Sequence, residues 1–186
     1  MLRFVLAVAL LAVGAQSVIV DKNCTGADGK WTDRALGCDN KVSDAVCDSF
    51  AGSQTALAVG TDTERAVNCF QMNSVDSEEK KQAMIKICPS TCGYCCLTDE
   101  YKCANKDFPG VTCSTITQAQ CKDRTWREII ASDCPNVCGF CLEGGCVDAA
   151  IECANDKSIC RNVDMQAFTQ ANCKKTCGYC TSSSKR

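Results

Sequence analysis

Six cysteines fall within 35 residues, Cys146 to Cys180, at the spacing C-x6-C-x6-C-x12-C-x3-C-x2-C, and nothing else in the chain restricts its folding as severely. A segment of that length buries too little apolar surface to offset its chain entropy, so units below about 40 residues usually need covalent staples. Each bridge contributes on the order of 2–4 kcal/mol, so three of them decide whether such a unit folds. The same ending, C-x3-C-G-aromatic-C, occurs three times: Cys88-Pro-Ser-Thr-Cys92-Gly-Tyr-Cys95, Cys134-Pro-Asn-Val-Cys138-Gly-Phe-Cys141 and Cys173-Lys-Lys-Thr-Cys177-Gly-Tyr-Cys180. An internal repeat is a stronger signal than any single copy. The glycines at 93, 139 and 178 suit a turn with positive φ.

Residues 1–17 read as a secretory signal: Arg3 gives a positive start, and Phe4 to Ala15 form an apolar run too short to span a bilayer. Cleavage follows Ala15 or Ser17, with Ser17 preferred. All 20 cysteines lie downstream of it, and their number is even, so ten bridges close the set in an oxidising compartment. Loss of Arg3 leaves 19 basic and 22 acidic residues. That mild acidity offers no basic field for nucleic acid or anionic lipid. The chain has no histidine, which removes Ser-His-Asp and Cys-His catalysis and the Cys2His2 zinc site. The expectation is a secreted, extracellular protein with no membrane insertion after signal cleavage, no cofactor, no metal and no enzymatic activity.

The six-cysteine framework with its C-x3-C-G-Tyr-C ending resembles the ShKT family, the small disulfide domain named for a sea anemone potassium-channel toxin and abundant in secreted nematode proteins. The resemblance implies a small disulfide-rich fold: three tandem ShKT-like modules of short helices and loops with no extended sheet. Counting back from each ending places a divergent first module with an N-terminal extension over 18–95, a second over 96–141 with an eleven-residue insertion, a linker at 142–145, a third over 146–180 and a polar tail at 181–186. The family pairing, first to sixth, second to fourth and third to fifth, implies Cys146–Cys180, Cys153–Cys173 and Cys160–Cys177 in the last module. Carried over, it gives Cys96–Cys141, Cys103–Cys134 and Cys121–Cys138 in the middle one. In the first it gives Cys38–Cys95, Cys47–Cys88 and Cys69–Cys92. Cys24 and Cys113 remain. With Cys95 and Cys96 adjacent, modules one and two abut, so a Cys24–Cys113 bridge is expected, its rival being an intermolecular pair. Leu142 to Gly145 reads as a hinge.

Helix signals precede each fourth cysteine: a Thr125–Glu128 capping box with Trp126, Ile129 and Ile130 on one face, Asp164 as a cap before Met165 and Phe168, and Asp76-Ser-Glu-Glu79 before Ala83, Met84 and Ile87. The CGYC and CGFC endings superficially match the C-x-x-C of thiol oxidoreductases. They lack the alternating βαβ context that motif requires, so structural disulfides are expected and thiol-disulfide exchange is the least favoured function. Channel-blocking members of the family place a Lys directly before a Tyr between the third and fourth cysteines, and no module here does so. Only the second offers a basic and aromatic cluster, Lys122, Arg124, Trp126 and Arg127, a possible binding face against the plainer reading of a packed Trp126 among solvated bases. Asn23-Cys24-Thr25 is a possible glycosylation acceptor. The functional expectation is extracellular protein recognition in a coat, matrix or interaction setting by an undetermined partner. The alternative is a modulator of an ion channel or extracellular protease.

Overall fold

The computed structural model describes residues 19–52 and 56–180; the expected signal segment 1–17 and the expected tail 181–186 lie outside the described residues. Two short helices come first, α1 over Asp33–Leu36 and α2 over Asp44–Ala51. A two-stranded hairpin follows, β1 Gln71–Met72 and β2 Val75–Asp76, turning through Asn73 and Ser74 at φ 54° and 63°. The remaining helices are α3 Glu78–Ile87, α4 Gln118–Lys122, α5 Arg127–Asp133, α6 Pro135–Cys138 and α7 Gln166–Asn172, joined by turns and short 3-10 segments.

Each module repeats one local pattern set by its last three cysteines. Helices α3, α5 and α7 end on the fourth cysteine, and the amide N–H of Cys88, Cys134 and Cys173 donates back to Met84, Ile130 and Thr169 carbonyls at 2.9, 2.8 and 2.8 Å. The next turn closes when the aromatic donates its N–H to the residue after that cysteine, Tyr94 to Pro89, Phe140 to Pro135 and Tyr179 to Lys174 at 2.7, 2.8 and 2.8 Å. The glycine between is left-handed each time, at φ 65°, 72° and 72°. A third element recurs two residues after each first cysteine. Asn40 Oδ1 accepts from the Ser90 and Thr91 amides, Asn105 Oδ1 from the Asn136 amide, and Asp148 Oδ1 from the Thr176 amide. A side-chain oxygen from the start of the module thus satisfies N–H groups that the turn between cysteines four and five leaves open.

Half-cystines supply much of the core. One cluster joins Cys47, Cys69, Cys88 and Cys92 with Phe70, Met84 and Tyr94. A second joins Cys121, Cys134 and Cys138 with Ile130, Phe140 and Val147, the last contributed by module three. Ile19, Trp31 and Ala35 form a third beneath the N-terminal segment, and Ala150, Cys153 and Cys173 a fourth.

All twenty cysteines are bridged. Module three contains Cys146–Cys180, Cys153–Cys173 and Cys160–Cys177, and module one contains Cys38–Cys95, Cys47–Cys88 and Cys69–Cys92, in both cases the pairs the family resemblance implies. The middle module departs. It contains Cys103–Cys141, Cys113–Cys134 and Cys121–Cys138, so the expected Cys96–Cys141 and Cys103–Cys134 are wrong. Cys103 is the first cysteine and Cys113 the second, giving C-x9-C-x7-C-x12-C-x3-C-x2-C with no eleven-residue insertion. Cys96 instead pairs with Cys24, whose expected bridge to Cys113, and the intermolecular rival, are both overturned.

Two expected helix starts also move. The capping box belongs to Thr117 and Gln120 at α4, whereas the Thr125 amide donates to Asp123 Oδ1 and the Glu128 carboxylate accepts Lys174 Nζ from module three. Asp164 does not cap α7: its amide donates to Asn162 Oδ1, and the helix begins at Gln166. Ile130 of α5 is fully buried, while Ile129 on the same helix and Trp126 just before it stay 37% exposed, so the expected shared face divides.

Candidate recognition surface

The N-terminal extension is folded into module one by a buried charge cluster. Arg65 is 1% exposed, with its guanidinium 3.7 Å from the Tyr94 ring centroid and 4.8 Å from that of Trp31. Its Nη2 donates to the Asn23 carbonyl at 2.7 Å and its Nη1 meets Asp21 at 3.4 Å. Asp21 also accepts from the Tyr94 hydroxyl at 2.7 Å and meets Lys81 Nζ at 3.3 Å. Burial disfavours the Asp21 charge, but bonds from Asn23 and Tyr94 and the Arg65 cation outweigh it and hold the carboxyl well below its usual range. Burial also lowers the Arg65 pKa, against the support of Tyr94 and Asp21, and raises that of the Tyr94 phenol.

The Cys24–Cys96 bridge ties the N-terminal extension to the junction of modules one and two, and just ahead of module two Glu100 accepts from Lys41 Nζ at 2.8 Å, a bond that lowers the Glu100 pKa to about 2. Tyr101, 2% exposed and pushed up to about 12 by burial, packs under the Arg34 guanidinium at 5.7 Å. Between modules two and three, Arg127 Nε donates to the Asp148 carbonyl at 2.8 Å and Nη1 to the Cys121 carbonyl at 2.7 Å, with the guanidinium over the Phe140 ring. Lys174 pairs with Glu128 at 2.8 Å, Lys175 pairs with Glu143, and Val147 enters the module-two core. These contacts between modules two and three span the linker expected at Leu142 to Gly145.

Because these parts are held together, a groove of about 740 Å³ opens where they meet. Asp33 and Leu36 of α1, Val59 of module one, Gln118, Lys122 and Phe140 of module two, and Ile151 of module three line it. Of the four residues expected to share a binding face, Lys122 lines this groove and Arg127 borders it with its guanidinium already bonded. Arg124 lies over the Phe168 ring of module three at 5.6 Å. Lys122 and Arg127 thus line the groove, Arg124 lies against module three, and Trp126 is 37% exposed. The CGYC and CGFC cysteines do not pair with each other, since Cys92 and Cys95 join Cys69 and Cys38. Asn23 is half-buried, and its side-chain amide donates to Asp21.

Sequence reasoning missed Asp21, Trp31, Arg65 and Tyr94 as a unit because Arg65 meets Asp21 across 44 residues with no periodic signal. It also missed Cys103 as the start of module two. There a signal existed: Cys38-Asp-Asn40, Cys103-Ala-Asn105 and Cys146-Val-Asp148 each carry the capping oxygen two residues on, and Cys96-Leu-Thr98 does not.

Comparison with known proteins agrees with this geometry. An uncharacterized Caenorhabditis elegans protein, ZK673.1, is 28% identical over 85 residues, which cover 40% of this chain and 54% of that protein, so the chain spans about half the length of this curated relative. No solved structure matches. The ShK domain-like family matches residues 65–95, 102–141 and 145–180, the second beginning beside Cys103 and not at Cys96. With more than half its residues matched in three successive copies, the chain belongs to the ShK domain-like family.

Proposed function

We propose that this disulfide-rich protein is a secreted, non-enzymatic recognition protein, and that the groove between α1 and modules two and three is its main contact surface for another extracellular protein. The observation that carries this reading is that the groove is jointly built. Its lining comes from three separately bridged parts: α1 lies in the segment tied by Cys24–Cys96, and modules two and three are joined by the Arg127–Asp148 hydrogen bond. A preorganised surface of this kind loses little conformational freedom on binding, which favours affinity. Apolar Leu36, Val59 and Ile151 beside polar Asp33, Gln118 and Lys122 give the mixed character of a protein contact.

The test is affinity capture from extracellular fluid by immobilised mature protein, run beside an Ile151→Glu/Val59→Glu variant. Both side chains are about half exposed, so the variant is expected to fold. The reading predicts a partner held by the wild type and lost from the variant. Capture no greater than that by reduced and alkylated protein would contradict it, as would turnover of insulin disulfides.

A further inference from the structure

The groove continues past α1. Leu36 and Ser90 also line a second depression of about 550 Å³ beside α2, so the two adjoin at these residues as a channel in two parts. Leu36, Leu57 and Val59 give its lining an apolar part. Asp33 and Asp39 line the first part, Asp44 and Asp48 the second. Asp44 accepts a hydrogen bond from Asn40 Nδ2 at 2.8 Å. Among the described residues none of these four carboxylates takes part in a salt bridge. The two bases of the lining, Lys122 and Arg127, sit together at the module-two end, and Arg127 is committed to the Asp148 and Cys121 carbonyls. The two depressions together thus carry four carboxylates against two bases, and a concave surface with an excess of negative charge concentrates cationic ligands.

We infer that this channel docks a cationic segment of a partner protein, an extended stretch in which Lys or Arg alternates with Leu-like side chains. The inference rests on the recognition reading above and gives the chemistry of its partner. The apolar side chains seat on Leu36, Leu57 and Val59 while the bases meet Asp33, Asp39, Asp44 and Asp48. The contact is salt-sensitive because the carboxylates are exposed and screened over about 8 Å at physiological ionic strength.

The experiment is titration of 15N-labelled mature protein with the synthetic peptide KLRLKLR and with the acidic peptide ELELELE, followed by heteronuclear NMR. The amides of Leu36, Asp44, Asp48 and Ser90 are expected to shift with the basic peptide alone, and less as salt is raised. Asp44→Asn/Asp48→Asn, both at exposed positions, is expected to weaken binding by about threefold to tenfold. Glu79→Gln/Glu152→Gln, which removes the same charge elsewhere, is expected to leave it unchanged. Shifts outside the channel, equal binding of the acidic peptide, or equal loss in the two double variants would overturn the inference. A concentration-dependent dimer abolished by the Asp44→Asn/Asp48→Asn change would also overturn it, assigning the channel to a second copy. A captured partner that holds equally to wild type and to that variant would remove the inference and leave the recognition reading standing.

Discussion

Arg65 is a charged side chain with almost no exposed surface, held between two aromatic rings and a carboxylate contributed from residue 21. Removing one member of a buried pair leaves the other charge uncompensated, a loss on the order of 3–5 kcal/mol. Arg65→Met is therefore expected to destabilise the protein by about that amount in guanidinium unfolding with bridges intact, followed by fluorescence of the buried Trp31. A loss below about 1 kcal/mol would show that Lys81 alone satisfies Asp21. The pH dependence has a defined sign. The folded Asp21 carboxyl titrates below its unfolded value of about 3.9, so its contribution is complete above that value and falls away as pH drops through the lower folded one. Stability should decline as pH falls below about 4, and Asp21→Asn should flatten that slope.

The C-G-aromatic-C ending shows how one sequence element carries different work in different modules. All three glycines are left-handed, so a side chain costs conformational energy at each. Their surroundings differ. A Cβ at Gly139 would lie 2.7 Å from the Tyr101 ring, and one at Gly93 would lie 3.0 Å from Leu57 and 3.2 Å from Trp31, whereas Gly178 has nothing within 4 Å. Gly178→Ala is expected to cost about 1 kcal/mol, the backbone term alone. Gly139→Ala adds the displacement of a buried ring and is expected to cost on the order of 1–3 kcal/mol more. Equal midpoint shifts in the two would contradict the packing described between α6 and Tyr101. These endings, and the helices that lead into them, were legible in the sequence because the pattern is local. Module register was half legible: the capping oxygens of Asn40, Asn105 and Asp148 sit at a fixed offset from the right first cysteine, but counting cysteines alone favoured Cys96. The Thr125 cap failed for a different reason, since Glu128 meets Lys174 from a module that local pattern does not reveal.

At the scale of the whole molecule, the N-terminal segment and the three modules form one block. Cys24–Cys96 lies outside every module's own set, and it holds the extension to the point where modules one and two meet. Cys38–Cys95 already brings nearby residues together, so the additional loop closed is roughly 16 residues, worth about 3 kcal/mol on the chain-entropy account. No sequence pattern announced this bridge, because its partners are 72 residues apart and the adjacent Cys95 offers an equally plausible thiol. The account of both the block and its groove depends on that register. It is tested most directly by mapping bridges in the native protein through partial reduction, alkylation and mass spectrometry of the proteolytic peptides. The account predicts Cys24 joined to Cys96, Cys103 to Cys141 and Cys113 to Cys134; recovery of Cys24 joined to Cys113, or of Cys96 joined to Cys141, would contradict it.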